Sequence, residues 1–487
     1  MTVELSTITF TEQDDIVPVS GVEQIFNTGI ANTFSGNDAI TGTGDSISTV
    51  LPVDGYPEGW PGLIPGIYND IGGTIDTGDG DDIITGISYG REGIIPDYGD
   101  YGNGIINGGT IDTGNGNDLI TGIGQGSKGV VGITSRESED SIINTGDGDD
   151  TIMGTASATG INIHYSSTLD TGKGDDIITG DGSTGLLNAS TTFNTGDGND
   201  TITGNCNEYG VGFYNAGFIN TGDGNDVING ITDITRFNDG VAILSAIFNA
   251  EGTIDTGNGD DIITSMGLFL NDDTIDTGNG QDSIISVGNF TNTGNVFLGD
   301  DNDSITTSII ADRSFLNRAL ENFNAIDTGD GDDIITSTGV IYNEGIINTG
   351  NGDDSIIVDG GIDDLTGNSY GIYNNGGAIN MGEGNDSIIA NDGFESAPNS
   401  SGAWFLGEGN DYIKGYGSGD FYGGNGNDTL ELTPGTYTVG IWGEGGESPI
   451  FTKGNQLMIT SEFEQLKVGS TIYDFSTLTA GQIIVVA

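Results

Sequence analysis

One short motif, with residues suited to binding a divalent cation, recurs along most of the chain. It reads T-G-x-G-x-D-x-I, as in residues 77–84 and 113–120. The glycines permit a tight turn in which main-chain carbonyl oxygens converge, and the aspartate adds a carboxylate. Proteins bind calcium through roughly six to eight such oxygens, so the motif predicts calcium sites.

The core of the motif, G-x-G-x-D, is complete thirteen times. Two incomplete copies end at Asp38 and Asp303, because Phe34 and Asp301 each replace one glycine. The predicted metal-binding residues are Asp38, Gly78, Gly80, Asp82, Gly114, Gly116, Asp118, Gly146, Gly148, Asp150, Gly172, Gly174, Asp176, Gly196, Gly198, Asp200, Gly222, Gly224, Asp226, Gly257, Gly259, Asp261, Gly278, Gly280, Asp282, Gly299, Asp303, Gly329, Gly331, Asp333, Gly350, Gly352, Asp354, Gly382, Gly384, Asp386, Gly407, Gly409, Asp411, Gly424, Gly426 and Asp428.

The composition of the chain also indicates that its carboxylates are neutralised by a counter-ion. Its 487 residues carry 73 Asp and Glu against 10 Lys and Arg, a formal charge of -63, yet 34% of them are hydrophobic. That is more apolar material than disordered chains contain, so we expect a folded protein whose carboxylates are neutralised. Sites shared between stacked turns would hold up to about 14 calcium ions and would be absent from an unfolded chain. Folding is therefore expected to depend on calcium.

The residues around the motif indicate the elements that position it. Ile or Leu stands two residues after every motif Asp, and a large apolar residue stands seven residues before each one from Asp82 onward. Each motif is thus predicted to be a turn between two short strands. Segments such as Ile67-Tyr68-Asn69 come 11 to 13 residues before many of these Asp. We expect flattened coils of about 21 residues with two opposed turns, stacked into a parallel β-solenoid in which the Asn form a ladder.

The motif resembles the nonapeptide G-G-x-G-x-D-x-U-x of the RTX, or hemolysin-type, calcium-binding proteins, and residues 423–431 match it in full. The resemblance covers about residues 28 to 431. It implies an all-β β-roll or β-helix and a secreted protein. This sequence departs from the family in having one motif per coil, which implies a single column of ions along one edge.

The two ends of the chain lack the motif. Residues 1–33 are predicted to be an N-terminal cap, 34–430 the solenoid with side loops, and 431–487 a β-rich C-terminal cap. The segment Phe463-Glu464-Gln465-Leu466 and the apolar finish resemble the C-terminal ends of secreted, especially cyanobacterial, RTX proteins, which implies an uncleaved type I secretion signal. The N-terminus lacks the features of a cleavable signal peptide, and no apolar run is long enough for a transmembrane helix.

The residues that most enzymes use are scarce. His164 is the only histidine and Cys206 the only cysteine, so Ser-His-Asp triads and Cys- or His-ligated zinc sites lack partners. The few basic residues are scattered, which argues against binding to nucleic acid or anionic membranes. Aromatic residues of the long loops, Trp60, Tyr89, Tyr98 and Tyr101, are candidates for sugar or protein contacts or for packing within the loops.

Three classes of function remain open: a structural protein, a binding surface (an adhesin or an ice-binding protein) and an enzyme. We favour a secreted, calcium-rigidified rod in a cell-surface layer, sheath, fibril or matrix that assembles with itself or contacts surface polysaccharide. A calcium-dependent adhesin or carbohydrate-binding surface protein is the alternative. Ice binding is disfavoured, because the first variable position of the strict motifs, such as Asp79 and Asn115, is never Thr. A carbohydrate-active β-helix enzyme lacks the basic and imidazole groups that its chemistry needs.

Overall fold

The chain is wound into coils of three short strands, and the computed structural model groups these coils into two compact units, Met1–Gly267 and Leu268–Ala487. The structure describes residues 2–18, 23–44, 65–89, 102–126, 130–136, 140–208, 210–233, 245–310, 317–363, 367–397, 402–443 and 448–487. No helix in this described part is long and apolar enough to cross a membrane.

Each full coil contributes one strand to each of three parallel sheets. We call them the Asn sheet, whose strands mostly end in Asn, the entry sheet, whose strands lead into the motif turn, and the exit sheet, whose strands follow it. In one coil these strands are Ile105–Asn107, Thr110–Asp112 and Leu119–Gly124. The chain therefore forms a parallel β-solenoid, as predicted.

The first unit contains the following strands. Its Asn sheet consists of Thr2–Glu4, Gln24–Asn27, Ile67–Asn69, Ile105–Asn107, Val131–Ser135, Thr159–His164, Thr184–Ala189, Phe213–Asn215 and Ser245–Asn249. Its entry sheet consists of Ile30–Asn32, Thr74–Asp76, Thr110–Asp112, Ile142–Asn144, Thr168–Asp170, Thr192–Asn194, Phe218–Asn220 and Thr253–Asp255. Its exit sheet consists of Ile16–Val17, Ala39–Gly44, Ile83–Ser88, Leu119–Gly124, Thr151–Thr155, Ile177–Gly182, Thr201–Cys206, Val227–Thr232 and Ile262–Met266. A single 3₁₀ turn, Leu5–Thr7, stands in for the entry strand of the first, incomplete coil within the described residues.

The second unit repeats this plan. Its Asn sheet consists of Leu268–Asn271, Phe290–Asn292, Arg318–Asn322, Val340–Asn343, Ile372–Asn374 and Phe394–Ser396. Its entry sheet begins with Thr274–Asp276, Asn295–Phe297, Ala325–Asp327, Ile346–Asn348, Ala378–Asn380, Ala403–Gly409 and Gly419–Gly426. Its exit sheet begins with Ser283–Val287, Ser304–Ser308, Ile334–Ser337, Ser355–Val358, Ser387–Ala390, Tyr412–Lys414 and Thr429–Glu431. A separate antiparallel hairpin joins Gly361–Asp363 to Asn368–Tyr370.

The C-terminal residues extend two of these sheets. Gln456–Ser461 continues the entry sheet in parallel, followed by the antiparallel strands Ser448–Lys453, Gly435–Trp442 and Ile483–Val486. Gln465–Val468 continues the exit sheet in parallel and pairs with the antiparallel strand Thr471–Asp474, which precedes the 3₁₀ turn Phe475–Thr477. The β-rich character expected of this region from the sequence is confirmed.

The core lies between the sheets, and most strands contribute at least one inward apolar residue to it. Ile111 and Ile120, seven residues before and two after Asp118, are 0% exposed and pair with Ile75 and Ile84 of the neighbouring coil. The alternation of intermediate and buried residues along Leu119–Gly124 follows from the two-residue period of a strand. Both apolar positions predicted from the sequence are confirmed as core.

The predicted coil with two opposed turns is wrong in one respect, because the apolar-aromatic-Asn segment is itself a strand of a third sheet. The Asn at its end points inward and is buried. The Asn69 amide donates to the carbonyls of Gly73 and Thr110 and to Asn107 Oδ1 at 2.8 to 3.2 Å, which ties the corner to the next coil. Similar bonds between Asn side chains confirm the predicted ladder, and the columns are Asn27–Asn69–Asn107, Asn188–Asn215–Asn249 and Asn271–Asn292–Asn322–Asn343–Asn374.

Candidate metal centre

The motif turns stack so closely that a side chain has little room at two positions, which are glycine in all but the two incomplete copies. Gly114 and Gly116 have φ of 83° and 141°, in the region that favours glycine. A Cβ added to Gly114 would lie 1.9 Å from the Gly78 carbonyl oxygen, and one added to Gly116 would lie 1.8 Å from that of Gly80. Each turn therefore presents main-chain carbonyl oxygens directly to the turn of the next coil.

The motif aspartates form a buried ladder along these turns. Asp118 Oδ1 accepts a hydrogen bond from the backbone N–H of Asp82, and Asp150 Oδ1 accepts one from Asp118, both at 2.8 Å. The same bond recurs in both units at 2.7 to 2.9 Å, and the accepting residues are Asp82, Asp118, Asp150, Asp176, Asp200, Asp226, Asp261, Asp303, Asp333, Asp354, Asp386, Asp411 and Asp428. These side chains are at most 2% exposed.

The second carboxylate oxygen, Oδ2, is buried and makes no hydrogen bond within the described residues. The aspartates concerned are Asp82, Asp118, Asp150, Asp176, Asp200, Asp226, Asp303, Asp333, Asp354, Asp386, Asp411 and Asp428. The Thr that stands five residues before the motif Asp is close to its carboxylate, and Thr113 thereby favours the ionised form of Asp118. The Thr113 hydroxyl nevertheless donates its hydrogen bond to the Thr145 carbonyl, at 3.4 Å. A buried ionised oxygen without a partner is costly, and metal coordination is one way in which proteins satisfy it.

Burial therefore raises the pKa of these carboxyls. Desolvation is the largest cause, and in most of them neighbouring carboxylates add to it, whereas backbone hydrogen bonds oppose it. The pKa rises to about 6 for Asp82, Asp150, Asp200, Asp261 and Asp428, to about 7 for Asp118, Asp226, Asp354 and Asp386, and to about 8 for Asp176 and Asp303. A cation between the turns would reverse this effect, since it would stabilise the ionised form.

The donor atoms fit a hard divalent cation. They are carboxylate and main-chain carbonyl oxygens, the ligands that calcium prefers. Among the residues that the structure describes, no group of three or more His, Cys, Asp or Glu side chains could hold a metal on its own. An ion at the turns would therefore need the stacked carbonyls as well as the aspartate. Cys206 and His164 end strands of the exit and Asn sheets and are not part of the turns.

A second ladder, which the sequence analysis missed, runs beside the first in the opposite direction. The backbone N–H of Asn117 donates to Asp81 Oδ1, and that of Asp149 donates to Asn117 Oδ1, both at 3.0 Å. The sequence carries the signal, because an acid or amide residue precedes every motif Asp: Asn37, Asp81, Asn117, Asp149, Asp175, Asn199, Asn225, Asp260, Gln281, Asn302, Asp332, Asp353, Asn385, Asn410 and Asn427. Unlike the motif aspartates, these residues line the exposed side of the turn.

The N-terminal end of the first ladder differs from its middle. Asp38 Oδ1 accepts from the backbone N–H of Asp15 at 2.6 Å, and its Oδ2 accepts from the Thr33 hydroxyl. Asp14 in turn accepts from the backbone N–H of Asn37 at 3.0 Å, so residues 11–16 form a further rung inside the segment predicted to be a cap. The structure thus gives the predicted metal ligand Asp38 protein partners for both of its carboxylate oxygens.

The four aromatic loop residues that the sequence offers as candidates for contacts fall mostly outside the residues that the structure describes. Trp60, Tyr98 and Tyr101 are outside the described residues, and Tyr89 is 52% exposed.

Comparison with known proteins gives one structural likeness to report. No family model matches the chain, and no curated protein matches it. A hyperactive, Ca²⁺-dependent, β-helical antifreeze protein from an Antarctic bacterium is similar over 78% of this chain and 84% of that chain, with 18% sequence identity and a TM-score of 0.37.

Proposed function

We propose that this protein is a calcium-binding β-solenoid whose folding is driven by ions held between stacked G-x-G-x-D turns. The observation that carries the proposal is the column of buried, unpartnered Oδ2 atoms, as in Asp118 and Asp150. Each belongs to a turn whose stacked glycines bring main-chain carbonyl oxygens close to the next turn, and each carries a charge that burial disfavours. Calcium supplies the counter-charge, so its binding free energy becomes folding free energy.

Circular dichroism of the purified chain tests this proposal. In buffer stripped of divalent cations at pH 8, we expect a largely unfolded spectrum, because the ionised ladders repel each other and lack counter-ions. Addition of calcium should produce a cooperative gain of β structure. Magnesium should be a poor substitute, since it requires a smaller and more regular octahedral shell. The same β content with and without calcium would refute the proposal.

We propose further that the protein is secreted and serves as a structural component outside the cell. A chain that stays unfolded at low cytoplasmic calcium and folds in external calcium suits export as an extended polypeptide. The resemblance of residues 463–466 to the ends of RTX proteins supports type I secretion. Export of a reporter fused to residues 431–487 from cells with a type I system, and its retention without that system, is the test.

Self-association is the structural role that we favour. The last strand, Ile483–Val486, exposes Ile483 and Val485 by 56% and 64%, and an exposed apolar strand is prone to pair with another chain. Electron microscopy with and without calcium should show calcium-dependent filaments or sheets. Discrete particles that bind a polysaccharide would favour the adhesin. Cleavage of a uronate polymer would favour an enzyme, and thermal hysteresis would favour an ice-binding protein.

A further inference from the structure

The last motif turn, at residues 423–428, differs from the others in what covers it. Tyr422 pairs with Ser461 and Thr429 pairs with Gln465, so the overlying chain crosses the same corner with residues 462–464 only. The glycine-rich turn at 424–427 therefore lacks the overlying motif turn that the sequence supplies to the earlier copies. Any cation beside Asp428 must take its remaining ligands from the C-terminal cap.

Glu464 replaces the aspartate of the next coil at this place. Its Oε2 accepts a hydrogen bond from the backbone N–H of Asp428 at 2.8 Å, as Asp428 Oδ1 accepts one from Asp411 at 2.9 Å. Leu466, two residues later, is buried like the Ile or Leu that follows each motif Asp. Glu464 thus ends the carboxylate ladder and holds residues 462–464 over Asp428.

Two oxygens converge beside Asp428. Its Oδ2 is buried and unpartnered within the described residues, and Asp428 itself is 0% exposed. Gly423 occupies the position that Thr holds in most copies, and a Cβ placed there would lie 2.8 Å from Asp428 Oδ2 and 2.1 Å from the Glu462 carbonyl oxygen. The two oxygens are therefore at most about 4.9 Å apart, a separation that one calcium ion can bridge with two bonds of roughly 2.3–2.6 Å. Glu462 holds a left-handed φ of 62°, uncommon for a residue with a side chain.

The charge of this region also favours a cation. The carboxylates of Asp411, Asp428, Glu462 and Glu464 lie close enough at this corner to repel one another. The lysines of the adjoining strands do not neutralise them, because Lys467 and Lys414 are directed at Glu431, at 2.6 and 3.8 Å.

We propose that Asp428 and the Glu462 carbonyl bind a terminal calcium ion, with Glu464 as the positioning residue, and that this ion docks the C-terminal cap on the last coil. The inference rests on the proposed calcium-driven folding and adds a site of different composition. It predicts that the segment 456–468, which buries Phe463 against Phe475, becomes ordered only when this site is filled.

Hydrogen–deuterium exchange of the full chain, titrated with calcium alone, tests the site. Gly423→Ala fills the point between the two oxygens, and Glu464→Gln keeps the shape of the positioning residue while removing its charge. Each should raise the calcium midpoint for protection of residues 456–468 by about 10-fold, with a shift of less than about 2-fold at residues 110–124. The matched controls are Gly435→Ala, whose Cβ would meet only the flexible end of Lys453 and the Tyr437 hydroxyl, and Glu408→Gln, which removes an exposed charge from the preceding turn. They should shift neither midpoint.

The outcomes separate the two proposals. Calcium-independent exchange at residues 110–124 would refute calcium-driven folding itself. A second result is that protection at residues 110–124 depends on calcium while Glu464→Gln shifts the calcium midpoint at residues 456–468 no more than Glu408→Gln does. That result would overturn the terminal site alone. If Gly423→Ala abolishes protection of the cap at every calcium concentration, the Glu464→Gln midpoint decides.

Discussion

Replacing Asp176 by Asn should affect stability in opposite directions without and with calcium. Asp176 is 0% exposed, and burial raises the pKa of its carboxyl from 3.8 to about 8. The folded state thus holds the proton more tightly than the unfolded state, and its disadvantage grows as pH rises from about 4 to about 8. Asn removes the proton requirement and keeps an oxygen that can accept the hydrogen bond from Asp150.

The size of the effect follows from the two pKa values. At 1.36 kcal/mol per tenfold change, burying Asp176 costs about 2 kcal/mol at pH 5, where the folded carboxyl must hold a proton that the unfolded chain has lost, and about 6 kcal/mol at pH 8. In buffer free of divalent cations at pH 5, Asp176→Asn should therefore raise the free energy of unfolding by about 2 kcal/mol, measured by urea denaturation. In calcium at pH 8 the same substitution removes a ligand, and the calcium midpoint for folding should rise by about 10-fold.

The neighbouring residue provides the control. Asp175 is exposed, and hydrogen bonds from the backbone and side chain of Asn199 lower the pKa of its carboxyl. Asp175→Asn removes the same charge, but it should slightly destabilise the metal-free protein and change the calcium midpoint little. The reasoning is refuted if Asp176→Asn destabilises the protein under both conditions, or if the two variants behave alike.

Three further predictions concern the rest of the solenoid. In the absence of divalent cations, lowering the pH from 8 to 5 should itself increase β structure seen by circular dichroism, because the raised pKa values of the ladder favour protonated carboxyls in the folded state. Gly116→Ala places a Cβ 1.8 Å from the Gly80 carbonyl oxygen, so the backbone of the turn must shift, and the melting temperature in calcium should fall strongly. Gly72→Ala, at φ of 71° with open space around it, should cost only about 1–2 kcal/mol. Asn215→Ala should cost about 3 kcal/mol in calcium by urea denaturation, since it breaks the Asn column and the bond to the Thr253 carbonyl.

The sequence predicts the repeating interior well because that interior depends on short-range spacing. The positions of Ile111 and Ile120 relative to Asp118 identify two strands and the turn between them, and both residues are core. The third strand was not predicted, since three residues such as Ile105–Asn107 are too short to show a period and side loops vary its distance from the motif.

The rungs that end the ladder could not be found in this way. Glu464 replaces Asp and follows Asp428 by 36 residues, with strands of the cap between them. At the other end, Asp15 lies in a segment without the motif glycines. Only the register of the strands shows that both residues occupy ladder positions, and register depends on contacts that are distant in the sequence.

A comparison of the two adjacent ladders explains why the aspartate of the motif is invariant within the chain. In both ladders a side-chain oxygen accepts a backbone N–H from a neighbouring coil, a role that Asn and Asp perform equally. The exposed ladder uses them interchangeably, as at Asp81 and Asn117. The buried ladder has Asp in all fifteen copies of the motif, although ionised Asp is the costlier residue there. Hydrogen bonding therefore does not account for the choice. What distinguishes Asp from Asn is the charge and the second oxygen, and the proposed cation would use both.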